Sequence, residues 1–219
     1  MISTNTLETL YQDKDLCIIN KPSGYVVHRT KGASQFPAVL QTLRDQLGQR
    51  IYPVHRLDRG TSGCLAFALS SESAKKLQFE LQSDTAIKKY TALCLGHLEP
   101  EGQFDRELFN ENKVKQKALT RYRVLQSFSQ YSLLELQIFT RRKNQIRRHL
   151  SYEGHHLIGD VQYGKGWLNR RFRDQYDFHR LFLHCHYISF IHPYTGERLQ
   201  LSCDLPKRLR DLLSQLDCA

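Results

Sequence analysis

The chain has 219 residues, of which 40% are hydrophobic and 25% are charged, values typical of a folded protein rather than a disordered one. Its 32 Lys and Arg residues outnumber its 22 Asp and Glu residues, which gives a net charge of +10. No apolar run approaches the roughly 18 residues of a membrane-spanning helix, and residues 1–6 lack the pattern of a signal peptide, so we expect a cytoplasmic protein without a membrane segment.

The first third of the chain alternates predicted strands and helices. A short strand over residues 16–20 ends at the turn Lys21-Pro22-Ser23-Gly24. Pro37 in the first turn, apolar positions 39, 40, 43 and 47, and Gly48 after them predict a helix. A buried strand over residues 64–69 follows, and Ser70 can cap a second helix with apolar positions 74, 77 and 81.

Strand patterns dominate the rest of the chain. They cover residues 90–95, 122–125, 133–139, 183–191 and 198–203, with a short helix from about residue 144 to 153 and a C-terminal helix around residues 209–216. Residues 88–140 contain no helical pattern, which favours a mixed or antiparallel sheet over a doubly wound one. We therefore expect an α+β fold, one domain over residues 1–219, with its central sheet flanked by helices and loops.

Cofactor and metal signals are weak. Six cysteines stand at positions 17, 64, 94, 185, 203 and 218 without a C-x-x-C pair, which predicts six free thiols. His184 and His186 share one face of a predicted strand but have no identified third ligand, so we expect no metal site. The phosphate-binding motifs G-x-x-x-x-G-K-[ST] and G-x-G-x-x-G do not occur, so we expect no nucleotide cofactor.

The positive charge is concentrated in one part of the sequence. Residues 113–180 hold 15 Lys and Arg residues against 5 Asp and Glu residues, and the rest of the chain balances. Such a surplus is typical of a surface that binds a polyanion, although a solvated face that aids solubility is the simpler alternative. An anionic membrane is disfavoured because the basic residues do not follow one face of a long amphipathic helix. We therefore favour nucleic acid as the partner.

Two clusters carry residue types suited to chemistry. In the predicted loop His55–Gly63, Asp58 lies between Arg56 and Arg59, and these cations favour an ionised carboxylate that could act as nucleophile or base. An Asx-turn with a surface ion pair is the structural alternative. The second cluster, Thr140–Leu150, crosses from a strand into a helix, where basic residues could bind phosphate or form an exposed helix face.

Basic and aromatic residues also alternate after this second cluster. The stretch contains Trp167, Arg170, Arg171, Phe172, Arg173 and Tyr176. Aromatic rings beside guanidinium groups can stack on unpaired bases, although core packing explains an aromatic side chain equally well.

Several stretches resemble the motifs of the RluA-type pseudouridine synthases. His55-Arg56-Leu57-Asp58 followed by Thr61-Ser62-Gly63 resembles the long H-R-L-D-x-x-T-S-G signature. The others stand in the family's order: Ile19 to His28 (N-K-P-x-G-x-x-V-H), Lys89-Tyr90 (the K-x-Y strand), Arg142 to Leu150 (G-R-x-H-Q-I-R-x-H-L), Ile158 to Gly164 (G-D-x-x-Y-G) and Arg180 to Glu197 (R-x-x-L-H…H-P-x-T-G-E). The resemblance covers roughly residues 10–205.

The resemblance implies a role for each matched residue. Asp58 would be the catalytic aspartate, Tyr90 would contact the target base, Arg142 would pair with Asp58, and Arg56 would fill the space that the flipped base leaves. We expect the RNA-binding residues to be Arg56, Arg59, Lys143, Arg147, Arg148, Arg170 and Arg171. The sequence departs from the motif at Arg141, where glycine is usual, and at Asn144, where histidine is frequent. A side chain at Arg141 would restrict the loop if a positive φ were needed.

The implied reaction isomerises uridine to pseudouridine and needs no redox cofactor, metal or ATP. The first motif stands near residue 20, which implies that an S4-type RNA-binding domain is absent. The short chain resembles the branch of the family that modifies uridine 65 in the T-arm stem of tRNA. A 23S rRNA or dual-specificity synthase is the alternative. An RNA-binding module without activity and a nucleic-acid glycosidase are more distant ones. We expect a monomer.

Overall fold

The computed structural model describes residues 6–29 and 35–217. In chain order its elements are β1 (Glu8–Gln12), β2 (Leu16–Lys21), α1 (Val39–Leu47), β3 (Tyr52–Pro53), β4 (Ser62–Ala68), α2 (Ser71–Gln82), β5 (Ile87–Leu95), β6 (Glu101–Phe104), β7 (Leu108–Phe109), β8 (Lys115–Gln116), β9 (Thr120–Ser127), β10 (Tyr131–Ile138), α3 (Gln145–Tyr152), α4 (Gly166–Tyr176), β11 (Leu183–Ile191), β12 (Arg198–Ser202) and α5 (Lys207–Asp217). The predicted α+β class is confirmed. The chain divides into two compact units, the first up to Ile87 with Cys185–Cys203 and the second over Lys88–His184 with the remaining C-terminal residues.

The first unit is built on strands whose β1–β2, β2–β4, β3–β4 and β11–β12 pairs are antiparallel. Their order is β1-β2-β4-β11, with β12 paired to β11 and β3 paired to β4. All seven residues of β4 are buried, as expected for a strand covered on both faces. At the end of the β2–β4 pair, Lys21 stands opposite Gly63. This register places the turn after β2 beside the loop that precedes β4.

The predicted end of α1 and the predicted start of α2 are confirmed, whereas α1 begins at Val39 and leaves Pro37 outside the helix. The first amides of α1 donate to main-chain carbonyls, Val39 N–H to Val26 O at 2.9 Å and Leu40 N–H to Val27 O at 3.0 Å. The helix ends at Gly48, whose φ of 65° lies in the left-handed region that glycine enters without steric cost. The Ser70 hydroxyl accepts from the amide of Ser73 at 3.0 Å, which confirms the predicted N-cap of α2.

The second unit contains its own antiparallel strands and three helices. The strand order is β5-β10-β9-β6, and β7 and β8 form a separate two-stranded hairpin. As predicted, no helix lies between residues 88 and 140, all of which the structure describes. The core packs α4 and α5 against apolar side chains of β5 and β10 and the loops near them: Leu93, Phe128, Tyr131, Leu133, Ile158, Leu168, Phe172, Phe178, Phe182, Leu209, Leu212 and Leu216.

Helix α4 is the main element that the sequence pattern does not predict, and β1, β6, β7 and β8 are not predicted either. Residues 166–176 were interpreted as an alternation of basic and aromatic side chains, but their buried positions are Leu168, Asn169 and Phe172. These positions are spaced as one face of a helix requires. Because that face is narrow and includes an asparagine, the polar and charged residues around it hide the helical period.

Cysteine and membrane predictions can be compared with the described residues. Cys17, Cys64, Cys94, Cys185 and Cys203 are buried thiols outside any disulfide, in agreement with the prediction for these five residues. Cys218 and residues 1–5, on which the signal-peptide prediction depends, lie outside the described residues. None of the helices within residues 6–29 and 35–217 has both the length and the apolar character needed to cross a bilayer.

Candidate active site

Asp58 lies in the connection between β3 and β4, in the first unit. Leu57 anchors this loop in the core at 7% exposure, whereas Arg56 and Arg59 on either side are exposed. The amide of Thr61 donates to the carbonyl of Asp58 at 3.1 Å and closes a tight turn. The Asp58 side chain is half-buried. The loop therefore presents a carboxylate from a fixed backbone.

A buried lysine holds this loop to the turn after β2. Lys21 is fully buried, and its ammonium donates to the carbonyls of Pro22 and Tyr25, both at 2.8 Å, and of Arg59 at 3.4 Å. A charged group without exposure persists only where its donors are satisfied, and three carbonyl dipoles serve that purpose here. Lys21 belongs to the N-K-P motif, but the sequence alone gives no sign of these contacts.

Two further hydrogen bonds connect the same segments. The Ser23 hydroxyl donates to the carbonyl of Gly60 at 2.8 Å, and the amide of Gly24 donates to that of Arg59 at 2.8 Å. Together with the Lys21 contacts, they fix the carbonyls immediately after Asp58. The N-K-P-x-G turn is therefore a brace for the aspartate loop.

The first and last residues of the H-R-L-D-x-x-T-S-G signature, His55 and Gly63, are also fixed by contacts that depend on the type of residue. His55 Nε2 accepts from the amide of Ala66 at 3.0 Å, which ties the start of the loop to β4. Gly63 has a φ of 114°, and a Cβ there would lie 2.2 Å from the carbonyl oxygen of Cys185. Only glycine permits both the backbone conformation and this close approach. The Arg59 guanidinium lies 4.1 Å above the ring of Phe36.

Tyr90 lies on β5, in the second unit. It is 7% exposed and stands opposite Leu136 of β10. Lys88, two residues earlier and on the same face of the strand, is 3% exposed, while Lys89 points to the other face and pairs with Glu135 at 3.1 Å. Lys88, rather than the Lys89 that was matched to the K-x-Y motif, therefore shares the face of Tyr90.

Arg142 lies in the turn between β10 and α3, also in the second unit. Its amide donates to Gln145 Oε1 at 3.0 Å, and its Nε donates to the carbonyl of Lys117 at 2.9 Å. Gln145 is 4% exposed and also accepts from the Thr140 hydroxyl at 2.7 Å. Its amide nitrogen donates to the carbonyl of Leu119 at 2.9 Å. Gln145 therefore orients the whole turn, a role that the sequence analysis did not assign.

The two departures from the family motif have different consequences. Arg141 is not among the described residues with positive φ, so the turn does not need glycine there. Asn144 does adopt the left-handed conformation, with a φ of 55°, and asparagine tolerates that region better than most residues. Its side-chain amide donates to the hydroxyl of Tyr163 at 3.1 Å. The substituted segment therefore has a regular local geometry.

Arg147 is engaged by an acidic partner. Its Nε and Nη2 donate to the two carboxylate oxygens of Asp160, both at 2.8 Å, and the side chains are 11% and 1% exposed. Burial alone would raise the pKa of Asp160, but the hydrogen bonds from Arg147 and from the amides of Tyr163 and Gln162 lower it below its usual value. The predicted RNA contact of Arg147 stays a prediction, whereas its structural role is evident.

The other predicted RNA-binding cations of the second unit differ in their surroundings. Lys143 pairs with Glu111 at 2.6 Å, and Arg148 donates to the carbonyl of Phe109 at 2.9 Å, so both hold the β7–β8 hairpin. Arg171 donates to Gln130 at 2.9 Å and to Gln175 at 3.1 Å. Arg170 is exposed. Each of these side chains reaches the surface at least in part.

One group of metal-ligating side chains occurs within the described residues. It consists of Asp13, Asp15 and His192 in the first unit. Asp13 Oδ1 already accepts from the amides of Asp15 and Leu16, both at 2.7 Å, and His192 Nε2 donates to Asp13 Oδ2 at 2.8 Å. These hydrogen bonds join two turns, and they already use both carboxylate oxygens of Asp13 and the Nε2 of His192.

A sequence profile described as RNA pseudouridylate synthase matches residues 15–152, more than half of the chain, and includes the loop of Asp58, the strand of Tyr90 and the turn of Arg142. The chain belongs to the RNA pseudouridylate synthase family. The resemblance to RluA-type synthases is thereby confirmed, and the chain is an RNA pseudouridine synthase, an isomerase.

Curated relatives of this pseudouridine synthase match nearly its whole length. A tRNA pseudouridine synthase C from Vibrio parahaemolyticus is 37% identical and covers 96% of this chain and 95% of its own. Another from Haemophilus influenzae is 38% identical and covers 95% of this chain and 97% of its own.

Solved structures show the same fold. Human RNA Pseudouridylate Synthase Domain Containing 4 has a TM-score of 0.79 at 26% identity, covering 96% of this synthase and 93% of that chain. Human RNA Pseudouridylate Synthase Domain Containing 1 has a TM-score of 0.73 at 22% identity, covering 99% and 97%. The predicted fold of a pseudouridine synthase domain is confirmed, whereas the roles of the individual site residues stay predictions.

Proposed function

We propose that this synthase converts uridine 65 in the T-arm stem of tRNA into pseudouridine. The substrate class is supported by relatives named tRNA pseudouridine synthase C that are 37–38% identical over nearly their whole length. The catalytic part depends on one observation. The half-buried Asp58 carboxylate stands on a loop whose carbonyls are held by Lys21, Ser23 and Gly24.

The reaction balances without an added electron carrier. The N1–C1′ bond of the uridine breaks, the base turns, and a C5–C1′ bond forms while C5 loses a proton and N1 gains one. An ionised Asp58 could attack C1′, attack the ring or remove a sugar proton to give a glycal. All three routes need the carboxylate in a fixed position, which the braced loop supplies.

Tyr90 and Arg142 complete the proposed catalytic set. Tyr90 would contact the flipped base, and its burial in β5 restricts the ring to one orientation. Arg142 would pair with Asp58, as the family resemblance implies, and Gln145 fixes the backbone of its turn. The positions of these two residues in their own unit support the proposal, and kinetics of variants must test it.

Exposed cations would hold the RNA while the base leaves its stack. Flipping a base out of a stem costs a few kcal/mol, which phosphate contacts can offset. Arg56 would fill the vacated space, and Arg59, Lys143, Arg148, Arg170 and Arg171 would bind phosphate. Arg147 belongs to the same proposal but would contribute less, since its side chain is only 11% exposed.

Carbodiimide-based primer extension on total tRNA and rRNA tests the function directly. Cells lacking the gene would be complemented with the wild type, with Asp58→Asn, or with Asp84→Asn as a matched control at an exposed aspartate of the same unit. We expect a stop in the tRNA T-arm stem that returns with the wild type and the control but not with Asp58→Asn. A stop confined to rRNA would overturn the substrate, and activity of Asp58→Asn would overturn the catalytic assignment.

A further inference from the structure

Helix α4 separates the aromatic residues of the basic stretch into core and surface. Phe172 is fully buried, with its ring 5.1 Å from Tyr131, and Tyr176 is half-buried against it at 5.3 Å. Trp167 is 56% exposed, although an indole is among the side chains that gain most from burial. Of the three aromatic residues in α4, Trp167 is therefore the one placed to meet a ligand.

Exposed charged side chains lie near this indole in sequence and continue from it along α4. Lys165, Arg170 and Arg173 are exposed and basic, and Asp174 is exposed and acidic. Residues three and four apart are neighbours on a helix, so Arg170 lies one turn from Trp167 and Asp174 one turn further. We call Lys165, Trp167, Arg170, Arg173 and Asp174 the α4 face. Its formal net charge is +2.

We propose that the α4 face binds the RNA substrate, with the Trp167 indole stacked on a nucleobase and Arg170 and Arg173 on phosphates. The proposal rests on the proposed function and adds a contact surface to it. Charge complementarity supports RNA as the occupant, because residues 113–180, which include α4, carry the whole positive surplus of the chain. An aromatic ring beside guanidinium groups provides both a stacking platform and counter-charges for an RNA backbone.

The proposal predicts that substitutions on α4 change RNA affinity in opposite directions. Removing the indole in Trp167→Ala should weaken RNA binding by roughly fivefold to a hundredfold, since a stacked base contributes about 1–3 kcal/mol. Arg170→Gln should reduce the slope of log affinity against log salt by about 0.7–0.9 if one phosphate contact is lost. Asp174→Asn should strengthen binding, because it removes a carboxylate next to the backbone phosphates.

Intrinsic fluorescence tests the stacking directly, because the chain has one tryptophan. The full-length Asp58→Asn protein would be titrated with tRNA while the anisotropy of labelled tRNA reports binding separately. We expect the emission of Trp167 to be quenched in parallel with binding, after correction with free N-acetyltryptophanamide. Binding without a change in emission would overturn the proposal, as would Trp167→Ala with wild-type affinity.

A matched control tests whether the loss of any exposed aromatic side chain would weaken RNA binding. Phe79 on α2 is 73% exposed, but the charges of Glu72, Lys75, Lys76 and Glu80 on the same helix sum to zero, so Phe79→Ala should leave RNA affinity unchanged. Product assays then separate the two proposals. If pseudouridine forms but the emission of Trp167 does not change on tRNA binding, the α4 face alone is overturned. If the emission is quenched but no pseudouridine forms, the proposed function alone is overturned. Failure to bind either tRNA or rRNA overturns both, and capture of a protein without RNA would also contradict the α4 face.

Discussion

Arg147 and Asp160 form a buried, two-pronged ion pair, with Nε and Nη2 each 2.8 Å from a carboxylate oxygen. The same carboxylate accepts from the amides of Gln162 and Tyr163, both at 2.9 Å. The pair therefore joins α3 to the G-D-x-x-Y-G loop and fixes the shape of that loop.

Breaking this pair should destabilise the protein strongly. Asp160→Ala leaves the Arg147 guanidinium buried without its counter-charge, which should lower the free energy of unfolding by about 3–5 kcal/mol. Urea denaturation measures the change. Glu111→Gln at the exposed Lys143 pair is the control and should cost at most about 1 kcal/mol. Equal effects of the two substitutions would contradict the structural role of Arg147.

The lowered pKa of Asp160 predicts a loss of stability in acid. Because the folded protein holds the ionised form, the contribution is fully present above the unfolded pKa of about 3.9 and is lost as the pH falls through the lower folded value. Unfolding free energies measured from about pH 6 downwards should therefore decline more steeply for the wild type than for Asp160→Asn. Parallel pH profiles of the wild type and Asp160→Asn would contradict a lowered pKa of Asp160.

Lys21 should control both stability and turnover through the Asp58 loop. Lys21→Met removes the donor from the carbonyls of Pro22, Tyr25 and Arg59, and an unsatisfied buried carbonyl costs about 1–3 kcal/mol. We expect lower unfolding free energy and lower kcat with nearly unchanged RNA affinity. Lys14→Met, at an exposed lysine of the same unit, is the control. Wild-type kcat in Lys21→Met would refute the brace.

Tyr90→Phe tests the proposed contact with the base. The substitution keeps the buried ring and removes the hydroxyl, so the fold should persist while the isomerisation slows. Single-turnover rates and RNA dissociation constants should be measured on the same preparation. We expect the rate to fall more than the affinity, and equal losses of both would argue against a contact that matters in turnover.

Gly63 should tolerate no side chain. Gly63→Ala combines a strained φ of 114° with a Cβ placed 2.2 Å from Cys185 O, and it should cost about 3 kcal/mol or more. Gly166→Ala is the matched control, since no atom lies within 4 Å of its added Cβ, and it should change stability by about 1 kcal/mol at most. Denaturation midpoints compare the two, and a stable Gly63→Ala protein would contradict the close approach.

Local signals in the sequence predicted much of this fold. Gly48 and Ser70 correctly marked the end of α1 and the start of α2, because capping depends on residues adjacent in sequence. Helix α4 was missed because its buried positions include Asn169, whose amide is satisfied by Asp160 O and by the amide of Gly159. A polar residue whose burial depends on partners elsewhere in the chain does not contribute to the apolar periodicity of a helix.

In the candidate site too, some features were predictable from the sequence and others depend on distant contacts. The H-R-L-D signature identified Asp58 directly, since the residues themselves carry the motif. The contacts of Lys21 were not predictable in this way, because its acceptors are main-chain carbonyls, which every residue has. Arg147 was likewise predicted to bind RNA because its partner Asp160 lies 13 residues further along the chain.

The pairing of Lys21 with Gly63 also makes the length of β2 a functional constraint. Successive side chains of a strand point to opposite faces, so one inserted or deleted residue between Leu16 and Lys21 would turn the ammonium away from the Asp58 loop. Substitutions in this strand can be absorbed by repacking, but a change in residue count cannot. The spacing within β2 is therefore as important to the aspartate as the identity of the lysine.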